Sequence, residues 1–231
     1  MDRKALAGKL IDCGVVSFKH FAKAAGVRRE ETALRVHPSM ALAYPGTRKV
    51  FLDRLEAEVT ERCTRLDSFA AVDYDSLPWA AWLADRQEKP LLYLHEALAE
   101  TGETRHKVEG YFLRNHFVAC VESVLDNTVE WVSALKALRR AYCRVPLLLT
   151  IVDANPKVNA RSFEWLEVPF VSLVSLNEIA EAAVERKLLK AAEAEKLLKG
   201  FYKQLKPVPK PEDEKAKRKI QEHGSGHDHE H

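Results

Sequence analysis

The stretch from Phe117 to Glu130 constrains the fold more than any other part of the chain. Residues 117–124 form a mostly apolar run, which is typical of a buried strand in a parallel sheet. After Leu125 come good helix caps and then the start of a helical pattern: Asp126, Asn127, Thr128, Val129 and Glu130. The pattern therefore predicts a central strand, a tight loop and a helix, the repeating unit of α/β proteins.

Composition limits the class of protein. The chain has 231 residues, of which 46% are hydrophobic, which is enough for one large α/β domain with a tail. Lys and Arg number 36 against 34 Asp and Glu, so the net charge creates no global field for nucleic acid or membrane. No apolar run reaches membrane-spanning length, and no signal-peptide core follows Met1. We expect an intracellular protein, cytoplasmic by default, with organellar import left open.

The four cysteines show no metal-binding or C-x-x-C spacing, which favours reduced, buried thiols: Cys13, Cys63, Cys120 and Cys143. Strand and helix patterns alternate along the chain. Strands are predicted at residues 69–72, 90–93, 108–111, 117–124, 145–152 and 170–174. Helices are predicted at residues 3–13, 47–66, 129–142 and 187–205. Two more are predicted to begin at Pro78 and after a capping box formed by Ser175 and Glu178.

This alternation predicts a doubly wound, mostly parallel sheet with helices on both faces, preceded by an N-terminal helix. Residues 1–205 form one predicted domain, within which residues 95–107 have the polar pattern of a loop. Residues 206–231 are rich in Pro, Lys, Glu and His and are predicted to be disordered. His227, His229 and His231 could bind a divalent metal weakly, although a solvated tail is the simpler interpretation.

From about Leu6 to Leu205 the order of these segments resembles the orotate phosphoribosyltransferase family. Residues 10–21 are similar to the family's amino-terminal helix and the segment that follows it, and residues 71–78 stand at its pyrophosphate loop. Residues 108–110 match the strand after its mobile loop, 152–153 match a strand end, and 168–173 match its closing strand. The resemblance implies a type I phosphoribosyltransferase fold. It also implies transfer of ribose 5-phosphate from phosphoribosyl pyrophosphate to a pyrimidine, with Mg²⁺.

The loop after the central strand departs from the family pattern. The family has an acidic pair at the strand end and then a glycine-containing loop whose N–H groups hold a phosphate at a helix N-terminus. Here Glu122 keeps the first acid, Ser123 replaces the second, and the loop has no glycine. Asp126 and Glu130 put carboxylates where a dianion would sit. The same residues also suit simple helix capping.

Three other anion contacts of the family are also lost. In the pyrophosphate loop, Ala71-Val72-Asp73-Tyr74-Asp75, alanine replaces the leading glycine and two acids are added. In residues 94–102, where the family is rich in Arg and Lys, only His95 could meet an anion, and Arg105 and Lys107 lie beyond. Residues 21–26 lack the family's lysine and serine in register, with Lys23 one position off. Four such losses indicate released catalytic constraint.

The remaining candidate residues have simpler interpretations. Asp153 is favoured as a strand-capping carboxylate over a metal or ribose ligand. His95 and His116 are lone histidines that suit surface or satisfied core positions. The tryptophans favour core packing, with any exposed one marking a partner surface: Trp79, Trp82 and Trp131 on predicted helices and Trp165 on a loop. Arg139, Arg140 and Arg144 suit a helix C-terminus better than a nucleic-acid site.

The sequence predicts a catalytically inactive relative of these enzymes that serves as a structural or regulatory subunit, in a homodimer or larger complex. We expect no cofactor, no specific nucleic acid and no membrane insertion. One alternative is a divergent, active orotate phosphoribosyltransferase that binds phosphoribosyl pyrophosphate and Mg²⁺. Another is a binding module that senses a nucleotide or a cationic ligand in the acidic pocket.

Overall fold

A computed structural model describes residues 2–18, 34–98, 104–126 and 128–205 of the chain. Its helices are α1 (Arg3–Asp12), α2 (Pro45–Arg62), α3 (Leu77–Arg86), α4 (Thr128–Arg140), α5 (Pro156–Leu166), α6 (Leu176–Glu185), α7 (Ala191–Gln204) and a 3-10 helix (Pro38–Ala43). Its strands are β1 (Val16–Ser17), β2 (Arg35–Val36), β3 (Ser68–Ala71), β4 (Leu91–Leu98), β5 (Thr104–Glu109), β6 (Val118–Leu125), β7 (Leu148–Asp153) and β8 (Phe170–Ser175).

Six strands form the main sheet in the order β5-β4-β3-β6-β7-β8. Neighbouring strands are parallel except β5, which runs antiparallel to β4. The predicted central strand is confirmed, since Cys120 of β6 lies between Ala70 of β3 and Leu148 of β7. Every residue of β6 except Val124 is buried, which explains why its sequence is mostly apolar. The predicted doubly wound, mostly parallel architecture is thus confirmed.

The two faces of the sheet carry separate cores because side chains alternate along each strand. Phe69 and Ala71 of β3 join one core with α1, α2, α3, α6 and α7, around the fully buried Trp79. Ala70 and Val72 point to the other core with α4 and α5, around the fully buried Trp131. The core interpretation of the tryptophans therefore holds for these two.

The predicted loop at residues 95–107 is wrong. Strand β4 continues through Leu98, and β5 begins at Thr104. The register places His95 opposite Lys107, so Lys107 lies beside the histidine rather than beyond the loop. This hairpin lies at the edge of the sheet, where many of its residues are polar. The alternation of apolar and polar residues that would have indicated strands is therefore not visible in the sequence.

Helix α5 is absent from the sequence-based prediction, which placed Trp165 on a loop. The residue lies in the last turn of α5 and is 39% exposed. The capping box at the start of α6 is confirmed. There the Ser175 N–H donates to Glu178 Oε2 at 2.7 Å, and the Glu178 N–H donates to Ser175 Oγ at 3.3 Å.

Several predicted features lie outside the described residues. These are the tail at 206–231, with its candidate ligands His227, His229 and His231, and the family-like segment at 21–26, with Lys23. Within the ranges that the structure does describe, no helix is both long enough and apolar enough to span a bilayer.

Candidate functional site

The carboxyl ends of β3, β6, β7 and β8 meet along one side of the sheet, which we call the carboxyl edge. In open α/β sheets, ligands bind in the crevice outside these strand ends. Helices α3, α4, α5 and α6 follow these strands, so their N-termini lie at this edge. The candidate site therefore depends on how the chain satisfies the first N–H groups of those helices.

The loop after β3 is closed by its own carboxylate. Asp73 Oδ1 accepts a hydrogen bond at 2.7 Å from the backbone N–H of Ser76, the residue that immediately precedes α3. Ser76 is fully buried, and its Oγ accepts the N–H of Ser123 at 2.8 Å. Ala71 and Val72 are buried, whereas Asp75 is exposed and Tyr74 is 87% exposed. Asp73, one of the two acids that the sequence adds to this loop, thus holds the loop in place.

The acidic position of β6 faces inward. Glu122 is 7% exposed and lies in register with Thr150 of β7, and Ser123 is 1% exposed. The Ser123 hydroxyl makes no hydrogen bond with any described residue. Only part of the following loop can be described. Asp126 is exposed and α4 begins at Thr128, whereas Asn127 and the side chains of Thr128, Val129 and Glu130 lie outside the description.

Asp153, at the end of β7, has a capping role. Its Oδ1 accepts the Asn155 N–H at 3.1 Å and Asn159 Nδ2 at 2.6 Å, and it is 3% exposed. Burial raises the pKa of this carboxyl above its usual value, although the two hydrogen bonds oppose the change. Asn159 Nδ2 also donates to the Leu125 carbonyl at 3.0 Å, which ties α5 to the end of β6. Sequence reasoning missed Asn159 because it missed α5.

Glu178, in the first turn of α6, has a similar capping role for that helix. Its carboxylate accepts the N–H of Ser175, and Arg3 Nη2 donates to the same group at 2.8 Å. The Arg3 guanidinium lowers the pKa of Glu178 to about 2, with burial acting in the opposite direction. In three of the four helices at the carboxyl edge, α3, α5 and α6, the residue just before the helix therefore donates its N–H to a carboxylate of the same chain.

An open cleft of about 550 Å³ lies between the β3 loop and the β4–β5 hairpin. It is lined by Val72, Asp73, Tyr74, Tyr93, Leu94, His95, Glu96 and His106, and none of these is lysine or arginine. Lys107 on the hairpin is held by Glu109, with Nζ 2.7 Å from Oε1. His95 Nε2 lies 3.3 Å from the same oxygen, so this histidine has a partner within the hairpin.

Metal binding has no preformed centre in this part of the chain. Among the described residues, no group of three or more His, Cys, Asp or Glu side chains is arranged to hold an ion. Asp153 and Glu178 instead use their oxygens on the chain's own N–H and guanidinium groups.

Comparisons with known proteins identify the architecture. No protein-family model matches the chain. The orotate phosphoribosyltransferase of Bacillus mycoides is 23% identical over 198 residues, which cover 84% of this chain and 92% of the relative. The solved orotate phosphoribosyltransferase of Aeropyrum pernix matches with a TM-score of 0.62 and 24% identity, over 80% of this chain and 99% of that one.

The chain has the type I phosphoribosyltransferase fold. Its sequence resemblance to orotate phosphoribosyltransferases extends over most of its length, as the motif order predicted. The UMP synthase of Leishmania donovani also matches, with a TM-score of 0.66 and 21% identity. The match covers 87% of this phosphoribosyltransferase-like chain and 42% of the UMP synthase chain.

Proposed function

We propose that this chain is an orotate phosphoribosyltransferase-like protein that does not itself transfer ribose 5-phosphate. It acts as a structural or regulatory subunit in a homodimer or larger complex. The observation that carries the proposal is the Asp73 carboxylate on the Ser76 N–H, at the helix start where the resemblance puts the pyrophosphate loop. An N–H group that could meet a substrate oxygen is already bound to an oxygen of the protein.

Electrostatics support the same conclusion. A phosphate gains from a helix N-terminus because unsatisfied N–H groups and the helix dipole favour negative charge. At α3 the Asp73 carboxylate already makes this favourable interaction with the helix start. Asp75 and Asp126 add exposed carboxylates along the carboxyl edge. Two unit charges about 5 Å apart repel by roughly 1 kcal/mol in water and by several times more in a partly dry pocket. Phosphoribosyl pyrophosphate carries several negative charges, so the penalties accumulate.

Titration calorimetry with Mg²⁺ and phosphoribosyl pyrophosphate tests the catalytic half of the proposal. We expect no binding at micromolar concentrations by the unmodified chain. The Asp73→Asn variant keeps an oxygen for the Ser76 N–H but removes one charge, and we expect it to bind pyrophosphate more tightly than the unmodified chain. Asp85→Asn, at an exposed position near the other end of α3, is the matched control and should change nothing. Micromolar binding by the unmodified chain would contradict the proposal.

The subunit role is tested separately. Light scattering on the purified chain gives its mass in solution, and isolation from its native source gives the composition of its complex. We expect a stable homodimer or a defined complex. A stable monomer that copurifies with no other protein would contradict this half of the proposal.

The second candidate is an active, divergent orotate phosphoribosyltransferase that requires Mg²⁺. The names of the relatives and the near-complete coverage of their chains, 92% and 99%, favour it. Glu122 also remains at the position where the family has the first acid of its pair. Conversion of orotate to orotidine 5′-monophosphate, dependent on Mg²⁺ and clearly above a blank, would establish this function and overturn the first.

A further inference from the structure

Arginines stack on aromatic rings at the opposite side of the sheet, where the parallel strands begin. Arg114 Cζ lies 3.7 Å from the centre of the Tyr142 ring. Arg65 Cζ and Arg144 Cζ lie 4.7 Å and 5.7 Å from the centre of the Phe117 ring. We call these five residues the arginine–aromatic surface. They come from four separate segments: the residues before β3, the loop before β6, Phe117 immediately before β6, and the residues that follow α4.

Backbone hydrogen bonds hold these segments together. The Asn115 N–H donates to the Tyr142 carbonyl at 2.8 Å, and the Arg144 N–H donates to the His116 carbonyl at 2.7 Å. The Phe117 N–H donates to Asp67 Oδ2 at 2.9 Å. The positions of the rings are therefore set by the fold, and little ordering of the backbone is needed before a ligand binds.

The surface carries net positive charge. Arg65 is paired with Asp67, with Nη2 and Oδ2 3.2 Å apart. Arg114 and Arg144 are exposed, and neither forms an ion pair with any carboxylate in the described ranges. Tyr142 is 54% exposed. The unneutralised guanidinium group of Arg114 thus lies beside an exposed ring, and that of Arg144 lies beside the half-buried ring of Phe117.

The arginines at the end of α4 and just after it differ in role. Arg139 Nη2 donates to the Leu166 carbonyl at 3.1 Å, which supports the structural role predicted for it from the sequence. Arg144, from the same predicted cluster, instead stacks on Phe117. The cluster therefore divides into a structural arginine and an arginine that faces solvent.

We propose that the arginine–aromatic surface binds single-stranded nucleic acid without sequence preference. Guanidinium groups bind phosphates, and exposed rings and guanidinium planes stack on bases. The faces of the bases are accessible only when the bases are unpaired. An anionic membrane would meet the same charge but has no flat bases to stack. The chain's net charge is only +2, so we expect weak binding that depends on this patch and falls with salt.

Fluorescence anisotropy of the full chain with a labelled oligouridine at low salt tests this proposal. Arg114→Ala and Tyr142→Ala should each weaken binding about ten-fold, because each removes one stacking contact. Tyr142→Phe should bind like the unmodified chain since it retains the ring. Arg161→Ala is the control; it removes the same charge from an exposed position on α5 and should change affinity by less than about two-fold. Circular dichroism melts confirm that each variant is folded.

Three results would overturn the proposal. The first is no binding of oligouridine by the unmodified chain. The second is equal binding of an abasic strand, or equal affinities of Arg114→Ala and Arg161→Ala, because either shows that base stacking on this surface does not contribute. The third is that the chain binds phosphatidylserine vesicles through Arg114 but does not bind oligouridine. That result would identify the surface as one that binds membranes.

Discussion

The Ser76 hydroxyl oxygen accepts a hydrogen bond from the backbone N–H of Ser123 at 2.8 Å. Both residues are buried, and they lie on neighbouring parts of the carboxyl edge: Ser76 just before α3 and Ser123 within β6. The bond is formed inside the sheet region, so it is protected from competition with water. It fixes the loop after β3 to the central strand and with it the position of Asp73.

Replacement of Ser76 by alanine should destabilise the chain. The buried Ser123 N–H would lose its acceptor, at a cost of about 1–3 kcal/mol in the free energy of unfolding. Ser68→Ala is a matched control, because Ser68 is also 0% exposed but its hydroxyl makes no hydrogen bond with the described residues. Urea denaturation measures both. Equal effects of the two substitutions would contradict a specific role for the Ser76 bond.

The Arg3–Glu178 pair should make stability depend on acid pH. The folded pKa of Glu178 is about 2, below its ordinary 4.5, so the contribution is present above pH 4.5 and is lost as the pH falls towards 2. Because both side chains are partly exposed, we expect only about 1 kcal/mol. Denaturation curves across this pH range measure it.

Glu178→Gln should remove that part of the pH dependence. Glu185→Gln serves as the control, because Glu185 pairs with Lys4 at a more exposed site. An identical acid response in the unmodified chain and the Glu178→Gln variant would show that the pair does not contribute.

Asp153 should have the opposite dependence on pH. Burial raises its folded pKa, so the folded state binds the proton more tightly than the unfolded state, and stability falls as the pH rises above the ordinary value for aspartate. Asp153→Asn keeps an acceptor for the Asn155 and Asn159 donors without the charge. We expect it to equal or exceed the unmodified chain in stability at pH 7.

Asp153→Ala removes the acceptor itself and should cost about 1–3 kcal/mol. Thermal melts at pH 7 and pH 4 test both variants. The advantage of Asp153→Asn over the unmodified chain should shrink at pH 4. An advantage that grows on acidification would contradict the direction of the pKa change.

Gly110 cannot be replaced without strain. Its φ is +111°, and a Cβ at this position would lie 2.9 Å from the Leu91 carbonyl oxygen. Gly110→Ala should destabilise the chain by about 1–3 kcal/mol. Gly200→Ala, inside α7 with no atom within 4 Å of the added Cβ, should instead stabilise it by about 0.5–1 kcal/mol. Melting temperatures that move in the same direction for both variants would contradict this reasoning.

The buried strands and the amphipathic helices could be predicted from the sequence because their patterns are local. Strands β6 and β7 are mostly apolar and almost wholly buried, and the capping box of Ser175 and Glu178 follows from the chain's local sequence. Helix α5 was not predictable in this way. Its buried positions, Asn159, Ser162, Phe163 and Leu166, have helical spacing, but the first two are polar. Their burial becomes understandable only once Asp153 and Leu125 are placed beside Asn159.

The site was predictable in composition but not in geometry. The sequence shows that the family's leading glycine is lost and that two acids are added, yet Asp73 and Asp75 look alike in it. Both residues are exposed in the structure, but it is Asp73 that accepts the Ser76 N–H. Likewise, the stacking of Arg114 on Tyr142 joins residues 28 positions apart, and no local pattern indicates it. The stacking therefore depends on tertiary packing, whereas the Asp73 bond is local, spanning three residues.

The antiparallel hairpin bears on the solubility of the folded chain. Strand β5 forms one outer margin of the six-stranded sheet, and its charged side chains include those of Lys107 and Glu109. Open margins invite a strand of another molecule to join the ladder, and charged side chains on the margin oppose such joining by repulsion and by the cost of removing them from water. Strand β5 thus protects the sheet against fibre-like stacking of one molecule onto the next.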